Sequence, residues 1–326
     1  MSLVTSARSK PAVVCLMGPT AAGKTGLAVE LARRLPFEII SVDSALVYRE
    51  MDLGTAKPDL ATRRLIPHRL IDILDPVEAY SAGRFRGDAL REIAAVQAAG
   101  RIPLLVGGTL LYFRALERGL AELPPADPTV RARLAAELAA CGSPSLHARL
   151  ARLDPVAAGR IHPRDPQRIQ RALEVCELSG RSLTELCAAA RTESLPFATI
   201  KLIVGLADRR RLHERIAQRF YAMLEQGFVA EVERLRARGD LDLNKSSMRA
   251  VGYRQVWTYL EGGLDYAAMV ERGIVATRQL AKRQLTWLRA EADALWLDGA
   301  DARLLDRTIA RLRENGFFAN VPERLC

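Results

Sequence analysis

Eight consecutive residues, Gly18-Pro19-Thr20-Ala21-Ala22-Gly23-Lys24-Thr25, match the spacing G-x-x-x-x-G-K-[S/T]. A run of this kind suits one chemistry. The loop's backbone N–H groups and the helix N-terminus that follows favour polyphosphate oxygens. Lys24 adds a point charge, and the Thr25 hydroxyl can ligate a Mg²⁺ that bridges those oxygens. The flanks agree with this reading. Ala12–Met17 is a short apolar run that reads as a buried parallel strand, and Leu27, Leu31 and Leu35 recur at helical spacing after the loop. Strand, glycine loop and helix make a cradle for a diphosphate or a triphosphate, without saying which.

Other groups fall where such a cradle could use them. Phe37–Val42 reads as a second strand and ends in Asp43-Ser44, a carboxylate at the sheet edge where such folds bind ligands. The plainer role for Asp43 is to cap a turn. Thr109 follows Val106-Gly107-Gly108 at another strand end, where it can cap the next helix, face the same crevice, or do both. Arg211, Arg215 and Arg219 recur every four residues on one expected helix face, as a diphosphate clamp or as a solvated stripe. A kinase or ATPase usually ends a second strand in Asp to hold the Mg²⁺ shell. Here Ile102–Val106 runs into Gly107-Gly108-Thr109, and the acid on offer is Asp43, which weakens that reading. His68, His147, His162 and His213 show no ligand spacing.

The elements that must position these groups are legible in outline. Further strands are expected at His68–Leu74, Ile102–Val106, Thr199–Leu206 and Leu295–Leu297. Helices are expected at Ser81–Gly100, with Phe85, Ala89, Ile93 and Val96 on one face, and around Leu110–Leu116. The alternation predicts an α/β fold, a P-loop NTPase-like doubly wound parallel sheet. After Leu123-Pro124-Pro125-Ala126-Asp127-Pro128 the texture changes, and residues 129 to about 195 carry helical patterns with no convincing strand. One helix opens at Asp165-Pro166 and runs to Gly180, with Ile169, Leu173 and Cys176 on its apolar stripe. The expected organisation is a first core part over residues 1–122, a small all-helical insertion domain over 123–197, and a second core part over 198–326.

Composition narrows the class. With 326 residues, 49% hydrophobic and 26% charged, the chain reads as an ordinary globular protein. No apolar run approaches a membrane span, and the polar start Met1–Lys10 does not read as a signal peptide. Five scattered cysteines, Cys15, Cys141, Cys176, Cys187 and Cys326, argue against a disulfide framework and a zinc module and for a cytoplasmic home. The net charge of +10 is uneven, at +4 over residues 1–120, +1 over 121–200, +7 over 201–290 and −2 over 291–326. A basic third segment behind a phosphate loop suggests a polyanionic partner, most simply nucleic acid.

Six segments in order then become specific: Gly18–Thr25, Ser41–Tyr48, Met51–Pro58, Val106–Thr109, Arg249–Gln255 and Lys282–Arg289. Over roughly residues 12–290 the chain resembles the bacterial tRNA dimethylallyltransferases, also called tRNA isopentenyltransferases, which prenylate N6 of the adenosine beside the anticodon (position 37). Leu46 stands where many members carry Gln, and the zinc-finger extension of eukaryotic relatives is absent. The resemblance implies dimethylallyl diphosphate as donor, so the loop would hold a leaving group and not a transferred phosphoryl. Gly18 to Thr25, with Arg215 first and Arg219 second, would bind the diphosphate, with Mg²⁺ as cofactor at Thr25. Asp43 would accept the N6 proton and Thr109 would hydrogen-bond the base.

For the tRNA anticodon stem-loop the resemblance implies Asp43, Ser44, Ala45, Leu46, Thr109 and Arg131. It adds the run Gln167, Arg168, Ile169, Gln170 and Arg171, then Arg249, Tyr253, Arg254, Lys282, Arg283 and Gln284. An extruded base is held by edge hydrogen bonds and by Arg or aromatic stacking, which suits most of these side chains. No obligate protein partner and no membrane is inferred. Rival readings are prenyl transfer to a free adenine nucleotide, a small-molecule kinase, and a non-catalytic RNA binder. The insertion and the basic 249–289 region favour RNA over a small acceptor.

Overall fold

The computed structural model describes residues 10–189 and 195–315. The tail before Lys10, the end of the 129–195 stretch and Cys326 lie outside the described residues. The chain divides into two compact units, one from the described residues of Met1–Leu116 and Leu195–Cys326, the other from those of Glu117–Ser194.

In the first unit the chain runs β1 (Ala12–Met17), α1 (Lys24–Arg34), β2 (Phe37–Val42), α2 (Leu60–Leu65), β3 (His68–Arg69), α3 (Ala82–Ala98), β4 (Ile102–Gly107) and α4 (Leu110–Arg118). The second unit holds α5 (Pro128–Leu153), α6 (Pro155–Arg160), α7 (Pro166–Ser179) and α8 (Leu183–Ala189). The first unit then resumes with β5 (Ala198–Gly205), α9 (Arg209–Glu225), α10 (Phe228–Ala237), α11 (Tyr253–Leu260), α12 (Tyr266–Leu288), β6 (Leu295–Asp298) and α13 (Leu304–Glu314).

All six strands lie parallel in the order β3-β2-β4-β1-β5-β6. β1 sits between β4 and β5, and its side chains alternate between two cores, as period-2 geometry requires. Val13, Cys15 and Met17 enter the core shared with α3, α4 and α9 to α12. Val14 and Leu16 enter the core shared with α1 and α13. Leu31 of α1 is fully buried there, a burial worth roughly 1.5–3 kcal/mol. The chain passes from β1 to β2 over the position that β4 fills. That arrangement leaves a crevice beyond the carboxyl ends of β1, β2 and β4, where such sheets take their ligands.

The expected strand His68–Leu74 is much shorter. Only His68 and Arg69 pair with β2, because Leu70 (φ 61°) and Asp72 (φ 57°) enter the left-handed region and leave the ladder. Leu74 makes an isolated bridge to Tyr48 instead. The turn is held by ion pairs from Lys57 and Arg63 to Asp72. Lys57 is buried and also donates to Tyr48 O and Asp52, so a lysine that reads as loop surface ties that loop to the turn.

The helical unit has its own core of Leu134, Leu146, Leu150, Ile169, Ala172 and Leu173 among others. α7 begins as its residues require. Asp165 accepts the Arg168 N–H, Pro166 takes the first turn, and Gly180 closes the helix with φ 66°. Gly142 (φ 76°) kinks α5 into two segments, with Pro144 just beyond.

Candidate functional site

The phosphate loop joins β1 to α1. Gly23 caps α1 with φ 99°, a left-handed conformation that suits glycine. It offers no capping side chain, and no acidic residue stands in the first turn. The positive end of α1 is therefore open to an anion. Lys24 folds back over the loop and donates to Pro19 O at 2.7 Å. Thr25 is exposed beside it.

The loop forms one wall of a crevice of about 1240 Å³, open solvent at its mouth included. Lys24, Asp43 and Arg219 share this crevice, two cations and one carboxylate brought together from α1, the end of β2 and α9. They act on one another. Burial pulls Lys24 down to a pKa of about 8, with Asp43 opposing that shift and Arg219 adding to it. Burial likewise lowers Arg219, and the charge of Asp43 opposes. Among the described residues Arg219 is tied only loosely, to Thr55 O at 3.5 Å. Its side chain lines the crevice, whereas Arg215 is not among the lining residues and donates to Gly299 O at 3.4 Å. The arginine expected second is thus the one that faces the loop. Ile216, Phe220, Met223 and Leu280 supply an apolar wall.

Asp43 does cap a turn. Its Oδ1 accepts from Ala45 N–H at 2.8 Å and Leu46 N–H at 3.4 Å, which orients the carboxylate and leaves Oδ2 for other work. The Thr109 hydroxyl accepts the Ser44 N–H at 3.1 Å and reaches Ser44 Oγ at 3.4 Å. Its bonds lie across the sheet end, on the Asp43 side, and not along α4.

The remaining expected positions separate into open and closed ones. Arg249, Arg254, Lys282 and Arg283 are exposed. Trp287 is half-exposed, with Arg114 stacked over its ring at 5.4 Å from the centroid. Tyr253 is corrected, because it is fully buried with its hydroxyl on Glu231, too deep to meet RNA. Gln284 turns inward as well and lines the crevice. In the helical unit, Gln167 and Arg168 are exposed. Arg131 and Arg171 both reach the buried Glu174, which fixes their guanidiniums in place. Gln170 donates to Arg131 O. Ile169 is corrected too, since its side chain is fully buried in that unit's core.

Glu231 was missed by spacing. It lies on α10, 2% exposed, and accepts the N–H groups of Asp52, Leu53 and Gly54 at 2.7–3.2 Å, as well as the Tyr253 hydroxyl. Burial and the Glu231 charge push the Tyr253 phenol far up, so it stays a donor. Glu231 therefore shapes the loop that brings Gly54, Thr55 and Ala56 to the crevice. An acid embedded in helix-period sequence gives no sign of three backbone partners far away in the chain.

A metal must fit these donors. Among the described residues no group of three His, Cys, Asp or Glu could hold one. The Thr25 hydroxyl and the Asp43 carboxylate are both hard oxygen donors in one crevice. They suit a hard divalent cation bound mainly through phosphate and water.

Comparison with known proteins adds independent findings. The family model described as "IPP transferase" matches residues 46–291. A tRNA dimethylallyltransferase of Methylococcus capsulatus is 56% identical over 308 residues, 94% of this chain and 99% of that protein. The full-length tRNA isopentenylpyrophosphate transferase of Bacillus halodurans superposes with a TM-score of 0.67 at 35% identity, over 94% of this chain and 95% of that one. A eukaryotic dimethylallyltransferase acting on tRNA superposes with a TM-score of 0.77 at 26% identity, over 97% and 81% of the two chains. No helix among the described residues is long and apolar enough to cross a membrane.

Proposed function

Because this chain belongs to the IPP transferase family, we propose that its crevice carries out that family's prenyl transfer with the residues named above. The chain is a prenyltransferase that moves a dimethylallyl group from dimethylallyl diphosphate to N6 of the adenosine 3′ of the anticodon in tRNA, releasing diphosphate. The observation that carries the assignment of roles is the meeting of Lys24, Arg219 and Asp43 beside an open helix N-terminus.

The allylic C–O bond breaks and its electron pair leaves on the diphosphate. The loop N–H groups, Lys24 and Arg219 stabilise that charge. The N6 lone pair forms the new C–N bond, and the proton N6 then carries passes to Asp43 Oδ2. Thr109, bonded to Ser44 beside Asp43, would hold the acceptor base, and the apolar wall of Phe220, Met223 and Leu280 would receive the prenyl chain. A divalent cation, which we take to be Mg²⁺, would be held by Thr25 and supply further charge on the leaving oxygens. For RNA we retain the exposed Arg249, Arg254, Lys282 and Arg283, and in the helical unit Arg131, Gln167, Arg168, Gln170 and Arg171. Folded tRNA as substrate supports a cytoplasmic site of action.

The test is mass spectrometry of digested tRNA after incubation with the protein, Mg²⁺ and dimethylallyl diphosphate. A gain of C₅H₈ on one adenosine is expected, with AMP in parallel unmodified. Label passing from a γ-phosphate into product, with no such gain, would return the kinase.

The Lys24 shift gives a pH signature. Below about pH 8 the free site keeps the Lys24 cation, and above it the lysine loses its proton and its hold on a trianion. Bound diphosphate draws the proton back. For the donor, kcat/KM is therefore level up to about pH 8 and falls beyond it, while kcat at saturating donor stays level further. Both profiles come from one steady-state series between about pH 6.5 and 9.5. A kcat/KM that stays flat through this range would mean that Lys24 keeps its proton in the free site despite its burial.

A further inference from the structure

Gln284 belongs to α12, two positions past Lys282 and next to Arg283, both exposed and basic. Its own amide points elsewhere. Oε1 accepts the Thr20 N–H at 2.9 Å, and Nε2 donates to Gly108 O at 2.9 Å. The partners fix the amide's orientation, since an N–H only donates and a carbonyl only accepts. Thr20 is in the phosphate loop, and Gly108 precedes Thr109. A Cβ on Gly108 would stand 2.4 Å from Gln284 Nε2, so a larger residue there would push the Gln284 amide aside.

One amide thus joins the donor side to the acceptor side. From Thr20 the bonds run through Gln284 to Gly108, along the chain to Thr109, and across to Ser44 beside Asp43. We infer that Gln284 is a positioning residue of the donor site, which braces the phosphate loop against the end of β4, and not an RNA contact. The inference rests on the prenyl-transfer reading for its consequences, but its geometry concerns diphosphate alone. With Thr20 held by Gln284, the loop keeps one conformation and its other N–H groups meet the diphosphate without prior rearrangement.

Gln284→Met keeps the side chain's bulk and removes both bonds. It is expected to weaken binding of inorganic diphosphate with Mg²⁺ by about tenfold, as loss of one or two neutral hydrogen bonds implies. The KM for dimethylallyl diphosphate rises with it, while tRNA affinity and its salt dependence stay as in the wild type. Gln284→Glu keeps the bond from Thr20, but turns a carboxylate on Gly108 O and the diphosphate, so it binds diphosphate no better than Gln284→Met. Arg283→Ala shows the opposite pattern, with weaker tRNA binding, a shallower salt slope and unchanged diphosphate affinity. A Gln284→Met protein that binds diphosphate like the wild type would overturn the inference, as would one whose only defect is in tRNA binding. Absence of prenylated tRNA from the wild type would instead overturn the functional reading and leave the diphosphate comparison standing.

Discussion

Asp43→Asn lowers kcat by about 10²–10⁴-fold, the usual range for removing a general base, while tRNA binding is retained. The substitution separates two jobs of one side chain. An Asn Oδ1 still accepts from the Ala45 and Leu46 N–H groups, so the turn survives. It cannot take the proton from N6. Asp43→Ala loses the turn as well and is expected to raise the tRNA KM besides. The neighbours supply a second readout. The Asp43 charge supports protonation of Lys24, so its removal drops the Lys24 pKa below its present value of about 8. The alkaline fall in kcat/KM for the donor then begins at lower pH in Asp43→Asn than in the wild type. A variant with wild-type kcat and an unmoved alkaline limb would exclude Asp43 as the base.

The second large effect is on the fold around the site. Glu231→Ala costs about 3–5 kcal/mol, the loss expected when a buried charged acceptor leaves its donors unpaired. Three N–H groups and one phenol are stranded at once. Urea unfolding followed by circular dichroism measures the loss. Tyr253→Phe removes one donor of the four and is expected to cost only about 1 kcal/mol. Equal losses in the two variants would mean that the Asp52–Gly54 loop does not depend on Glu231.

How much of this was legible in the sequence depends on the range over which each residue acts. The phosphate loop, the cap of α7 and the stripe of Phe85, Ala89, Ile93 and Val96 are local patterns, and the structure carries them as spacing suggests. Asp43 could be placed because a strand end is local too. Gln284 was readable as polar and helical, but its partners lie 264 and 176 residues away, so the resemblance placed it with the RNA contacts. Tyr253 had an aromatic ring among basic residues, and only tertiary packing shows that Glu231 holds it inside. The run His68–Leu74 has strand composition throughout, yet Lys57 and Arg63 hold Asp72 in a turn that composition does not encode.

The pairing of β1 with both β4 and β5 has a consequence for synthesis. Val14 meets Leu104 on one side, but on the other Ala12 waits for Ala198. At about 5–20 residues per second, a ribosome needs on the order of 10–40 s to deliver that second neighbour. Until then the strand that leads into the phosphate loop has one bare edge, of the kind that invites pairing with another chain. The helical unit, whose core is complete once α7 and α8 are made, is translated within this interval. The nascent chain therefore reaches its most exposed stage with the helical unit available to fold and the catalytic sheet still open, the stage at which chaperone capture has most to offer.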